Sequence, residues 1–210
     1  MDVIKLRKHH QIKELVNNPG YSSSGEWSDV VNGSGDVVIS KSGSFQTWRE
    51  FIEIFVNDQQ LSDLLTTFLA YRDSLLKSWV GVLGSFPDKQ AELFTLKRLL
   101  LEPITDEEIR SALPKDSKEK QIEERFKWHK EHLLNDLILI YCCHECGNFE
   151  CGGINVKIDQ KNDTIIWTFF ENEKRRMKGK TLQFHFEKNQ YSGVFNKYRK
   201  AFLKNKDTRK

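Results

Sequence analysis

The back half of the chain constrains the fold most. Leu137–Cys143 (LILIYCC) is a short, unbroken apolar run, followed by two alternating segments at Gly153–Ile158 and Thr164–Phe170. A run of this length with no polar face reads as a strand covered on both sides. The alternating pair, separated by the turn residues QKND, reads as a hairpin, and Leu182–Phe186 supplies a further strand. Asn189 is expected to cap a last helix with apolar positions Tyr191, Val194, Phe195, Tyr198 and Phe202.

The front half reads as helical. After a basic start, residues 17–35 are rich in Asn, Gly and Ser and read as loop, and Asp36–Ser40 reads as a short strand. Trp48, Phe51, Ile52 and Phe55 recur at helical spacing, and the apolar positions from Leu61 to Leu83 predict one core helix closed by Gly84 and Pro87. Residues 88–101 predict another, stopped by Pro103. Thr105 and Glu108 have the spacing of a capping box for a brief helix up to about Leu113. The expectation is an α+β fold: helices in the N-terminal half packed on a mostly antiparallel sheet from the C-terminal half, with a C-terminal helix. Residues 1–210 read as a single domain, with a charged helical insertion at about 106–134 and a frayed basic tail at 204–210.

Charge separates along the chain. The totals, 33 Lys plus Arg against 30 Asp plus Glu, leave only +3. Yet Glu14 to Leu76 holds nine acids and three bases, while Glu171 to Lys210 holds thirteen bases and four acids. The acidic stretch suits a basic partner. The tail KNKDTRK carries no aromatic residue for bases to stack on, so it reads as a solvated helix end and not as a nucleic-acid arm. No stretch approaches the roughly 20 apolar residues of a membrane span, and the N-terminus lacks the apolar block of a signal peptide. A cytoplasmic protein without membrane partners is expected. The four cysteines sit together at Cys142, Cys143, Cys146 and Cys151, which fits a reducing compartment.

Few residues suggest chemistry. Cys143 and Cys146 have the two-residue knuckle spacing that lets two thiolates grip one zinc, with Cys151 close behind. A fourth ligand would come from His129, His132, His144 or His185. The competing reading is a tight turn after a buried strand, with the cysteines as small core residues. His129 and His132 lie at i and i+3 without the HExxH spacing, and read as a solvated helix face. The phosphate-loop and GxSxG motifs are absent, and Asp106, Glu107 and Glu108 read as first-turn acids favoured by the helix dipole, so no catalysis is expected. Trp167, Phe169, Phe170, Phe184 and Phe186 read as packing.

Four motifs together resemble a widespread group of small bacterial cytoplasmic proteins: LLLEP (Leu99–Pro103), a strand running into CHECGNFECGG (Cys143–Gly153), IIWTFFEN (Ile165–Asn172) and FHFEKNQY (Phe184–Tyr191). The resemblance spans about Trp48 to Tyr198. In that group the cysteine motif usually reads CGD followed by GCG, with an acid where Asn148 stands here, and the strand usually follows LLLEP more closely. The stretch up to Leu134 thus looks inserted in this chain. The group brings no catalytic activity, and some members resemble immunity proteins of polymorphic toxin and contact-dependent growth inhibition systems. The resemblance implies an immunity protein that binds and neutralises a cognate toxin domain, often a nuclease with a basic substrate face. On that reading Glu50, Glu53, Asp58, Asp63 and Asp73 are the contact candidates and no cofactor is needed. The alternative is a zinc-stabilised nucleic-acid-binding protein, with a structural zinc on Cys143, Cys146 and Cys151.

Overall fold

A computed structural model describes residues 1–15, 37–39, 45–72, 74–77, 79–84, 89–113, 119–143, 152–171 and 179–204. In chain order the elements begin with strands β1 (Ile4–Leu15), β2 (Val37–Ile39), β3 (Phe45–Val56) and β4 (Gln59–Gln60). Helix α1 (Leu61–Phe68), strand β5 (Trp79–Gly81) and helices α2 (Lys89–Leu99), α3 (Asp106–Ser111) and α4 (Glu119–Leu133) follow. Strands β6 (Leu137–Cys143), β7 (Gly153–Lys161), β8 (Thr164–Phe170) and β9 (Thr181–Glu187) lead into helix α5 (Lys188–Lys204).

The fold is α+β with two antiparallel sheets. One has the order β5-β6-β7-β8-β9: β6 to β9 lie at the strand positions expected in the back half, while β5 joins them from the segment expected to be helical. Its apolar face is in register across strands: Ile138 opposite Val156, Ile158 opposite Trp167, and Trp167 opposite Phe184. Trp167 is fully buried, with Phe186, Phe169 and Tyr191 set edge-on around it at centroid distances of 5.6–6.1 Å. The Tyr191 hydroxyl accepts from the Trp167 indole N–H at 3.1 Å and donates to the Leu99 carbonyl at 2.7 Å, linking α5, β8 and the end of α2.

The front half corrects the expectation of a largely helical region, because it contributes a second sheet. β3 pairs with β1 along twelve residues on one side and with β2 and β4 on the other. The segment Trp48–Phe55 is therefore strand and not helix. Its spacing fits the helical period alone, but Phe51, Glu53, Ile54, Phe55 and Val56 are all buried, and a chain covered on both faces and carrying β-branched residues favours a strand.

The long helix expected from Leu61 to Leu83 is also broken. α1 ends where Ala70 takes a positive φ of 53° and Tyr71 N–H reaches back to the Thr66 carbonyl at 3.0 Å, a left-handed cap that reverses the chain into β5. α2 closes in the same way inside the LLLEP segment: Leu101 has φ 57° and Glu102 N–H bonds the Lys97 carbonyl at 2.8 Å. The capping box at α3 forms as expected, with Thr105 accepting from Glu108 N–H and the Glu108 carboxylate accepting from Thr105 N–H. At α5 the cap is Glu187, not Asn189: its carboxylate takes the backbone N–H groups of Asn189 and Gln190 at 2.9 and 2.7 Å.

The two sheets are tied to each other at both ends. Asp2 bridges to β9, its N–H on the His185 carbonyl and its carboxylate on His185 N–H, each at 2.7 Å. At the other seam Ile52 N–H bonds the Leu83 carbonyl at 2.6 Å. Gly81 makes that seam close enough, since a Cβ there would meet the Phe51 ring at 2.5 Å and the Ile52 carbonyl oxygen at 2.9 Å. One apolar cluster runs through both sheets, α1 and α5. A second, small one (Ile109, Leu113, Phe126) belongs to α3 and α4 alone. Among the described residues no helix is long and apolar enough to cross a membrane. Residues 205–210 of the basic tail lie outside the described residues.

Candidate functional site

The expected insertion contributes two walls of a cleft among the described residues. α2, α3 and α4 wall a cleft of about 710 Å³ whose floor is the outer face of β6 and β7, with Leu137, Leu139, Gly153 and Asn155. A concavity of this size with an apolar lining and a few polar groups is the usual form of a binding site. Its cations are Arg98 from α2 and Arg125 from α4, joined by His129 and His132, and none of the described lining residues is acidic.

Local contacts hold these walls. Arg110 stacks its guanidinium 3.8 Å over the Phe126 ring and forks onto Glu123 at 2.9 and 3.2 Å, clamping α3 to α4. Lys130 pairs with Asp106 at 2.7 Å, and Lys97 of α2 with Glu108 of α3. One nitrogen of Arg98 donates to the carbonyl and side-chain oxygens of Asn135, each at 2.9 Å, and to the Leu137 carbonyl, fixing the turn from α4 into β6. Burial draws its pKa down to about 10, offset in part by Asp136, so it stays charged at neutral pH. Half-buried Trp128 lies 4.0 Å from the His132 ring, nearly parallel to it, and edge-on to His129 at 4.9 Å.

The acidic contact candidates do not form one surface. Glu53 is fully buried, which removes it from any face a partner could touch. Its Oε1 accepts from the Tyr141 hydroxyl at 2.7 Å and from Ser62 N–H at 3.1 Å, so the strand carboxyl supplies the N-terminal cap that α1 lacks from Gln60. Desolvation raises its pKa from 4.5 to about 7 against the opposing effect of those hydrogen bonds. Asp58 is exposed but paired to Lys5 at 2.7 Å and Arg7 at 3.4 Å, and Lys5 holds its carboxyl below the usual range. Asp63 is exposed on the first turn of α1. Glu50 lies in β3 opposite His10, its side chain outside the described set, and Asp73 lies outside the described residues altogether.

For the zinc reading, Cys143 ends β6, partly exposed, beside buried Cys142, while Cys146, Cys151 and His144 lie outside the described residues. Among the described residues no cluster of His, Cys, Asp and Glu could hold a metal. His185 is exposed on β9. Sequence reasoning passed over Trp128, Arg98, Arg125 and Asn155. The available signal was on α4, where Arg125, Trp128, His129, His132 and Leu133 recur at helical spacing as one continuous stripe.

No protein-family profile, curated protein or solved structure gives a significant match to this chain.

Proposed function

We propose that this chain acts by binding and not by catalysis: it is a cytoplasmic immunity protein that holds a toxin domain inactive, and it receives that partner at the cleft of α2, α3 and α4. The observation that supports this reading is the lining of the cleft. Trp128, Arg98 and Arg125 are of the residue types that carry most of the energy at protein interfaces. They stand over an apolar floor, as binding hot spots do. Two of the three walls, α3 and α4, come from the segment that sets this chain apart from the group it resembles, and a neutraliser that must recognise one partner places its specificity in such a segment. Among the described side chains of the acidic stretch, Asp58 and Asp63 are exposed and Glu53 is buried.

A native mass spectrum of the protein isolated gently from its own host tests the reading. A stoichiometric second polypeptide is expected, and Trp128→Ala should release it while leaving the thermal melting profile intact. A bare chain, or one carrying nucleic acid or zinc instead, would refute it.

A further inference from the structure

The outer face of α5 carries charge that its own surroundings leave unanswered. Over Lys188–Lys204 the helix has five bases and no acid. Its inner side is committed to the fold: Tyr191 and Phe195 are buried, and Arg199 is taken by Glu102 and by Asn196, each at 2.6 Å. Lys197, Lys200 and Lys204 are exposed along the other side, together with Gly193 and Ala201. None of the three lysines makes an ion pair or hydrogen bond among the described residues. The helix dipole accounts for Lys204, which lies in the last turn, but not for Lys197 about two turns earlier. Gly193 is a second feature that the fold does not require. Glycine weakens a helix interior relative to alanine, yet a Cβ at Gly193 would meet nothing of the described chain within 4 Å. A missing side chain on an outer face lets a partner's backbone come close to the helix.

The residue types on this stripe select among anionic partners. Protein interfaces are enriched in arginine and aromatic residues and depleted in lysine. Here the one arginine is turned to Glu102, and lysine is the only charged residue exposed. Flexible ammonium groups set against successive phosphates are the means by which proteins hold a nucleic-acid backbone without reading its sequence. Lys197 to Lys204 covers about 10 Å of helix rise, and phosphates of one strand recur about every 3.4 Å along a duplex axis, so the row spans about three of them. A single strand is held by stacking its bases on aromatic rings, and no aromatic residue of α5 is exposed. A lipid surface takes up a helix by its apolar face, which in α5 is packed inward on Trp167.

We propose that the outer face of α5 docks on the phosphate backbone of a nucleic-acid duplex, with Lys197, Lys200 and Lys204 along one strand and Gly193 against the sugar–phosphate chain. This surface is separate from the cleft and does not depend on the partner received there.

The test uses the full chain and a fluorescein-labelled DNA duplex of about 20 base pairs, long enough to exceed the helix rise, read by fluorescence anisotropy at low salt. Saturable binding is expected, about equal for two duplexes of unrelated sequence. Affinity should fall roughly fortyfold between 50 and 200 mM KCl, from about 0.9 log units per phosphate neutralised by three lysines. Lys197→Glu/Lys200→Glu should weaken binding at least about tenfold, and Gly193→Gln should weaken it measurably, with melting temperatures unchanged. Lys127→Glu/Lys161→Glu changes the net charge equally at exposed positions on α4 and β7 and should leave the affinity within about twofold. An equal loss in that control pair would overturn the inference, since net charge alone would then be at work. So would tighter binding of the single strand, or binding to phosphatidylserine vesicles without binding to the duplex. A duplex that fails to bind while the polypeptide complex from the host persists overturns this inference and leaves the cleft reading standing. Duplex binding without any polypeptide complex does the reverse.

Discussion

Glu53→Gln should reverse its effect on stability between pH 5 and pH 8. The buried carboxyl is raised from 4.5 to about 7, chiefly by desolvation. A folded-state value above the unfolded one means that the group favours the native state fully only below about 4.5. That contribution is lost as pH rises toward 7, because the native site must then give up the proton or carry a charge out of water. At about 1.36 kcal/mol per pH unit, the loss across this window comes to about 3 kcal/mol. Glutamine cannot ionise, and its carbonyl oxygen can still accept from Tyr141 and Ser62. Its amide group, however, occupies the place of Oε2, which has no hydrogen-bond partner among the described residues. An unsatisfied buried donor costs roughly 1–3 kcal/mol. The variant is thus expected to be less stable than wild type at pH 5 by about 1 kcal/mol and more stable at pH 8 by about 2 kcal/mol. Glu92 is raised in the same direction by desolvation, offset in part by the hydrogen bond it accepts from Tyr198, but it is present in both proteins and cancels in the difference. Asp58, Glu108, Glu123 and Glu187 are lowered by their partners, and their contribution is lost only as pH falls below the ordinary carboxylate range. Urea unfolding of both proteins at the two pH values gives the comparison. A stability difference of the same sign and size at both pH values would refute the argument that Glu53 titrates in this window.

Three other substitutions probe the fold. Tyr191→Phe leaves the Trp167 indole N–H and the Leu99 carbonyl without their shared hydroxyl and should cost about 1–3 kcal/mol in urea unfolding. Gly81→Ala places a methyl group 2.5 Å from the Phe51 ring and 2.9 Å from the Ile52 carbonyl oxygen, so the seam between the sheets must open. A cost of about 1–3 kcal/mol or more is expected, and an unchanged melting temperature would contradict this close approach. Thr105→Ala removes one half of the capping box and should cost about 1 kcal/mol locally, read as faster exchange of the Glu108 amide proton with the exchange of β8 unaltered.

The back half of the fold was legible because each of its strands presents a single period. LILIYCC has no polar face, and GINVKI and TIIWTFF alternate cleanly about a turn in which Asn162 takes a positive φ of 53°. The front half was not, because its decisive features are tertiary. Trp48, Phe51, Ile52 and Phe55 satisfy a helical period, but the segment pairs with β1 along its whole length and is buried on both faces, Phe51, Glu53 and Phe55 on one and Ile54 and Val56 on the other. The helix stop after α1 is equally hidden, since it depends on Ala70 adopting a conformation usually left to glycine or asparagine. Glu53 misled for a related reason. An acid beside Phe51 and Ile54 looks like a helix's polar face, while in the strand it points inward to cap α1.

The site was less legible than the fold, and the reason lies in how the cleft is made. A charged stretch such as KQIEERFKWHKEHLL resembles a solvated helix when its partners are unknown, because long cationic side chains tolerate both water and an apolar neighbour. Assembly decides between the two. Phe126, under Arg110, turns one face of α4 onto α3, and Lys130 and Arg110 consume the acids of Asp106 and Glu123. Arg125, His129 and His132 lie along the wall that faces α2 and the sheet floor. The same charges that cancel in the composition are thus sorted by the fold. Acid–base pairs close α3 and α4 on each other, while Arg125, His129 and His132 line the cleft beside them.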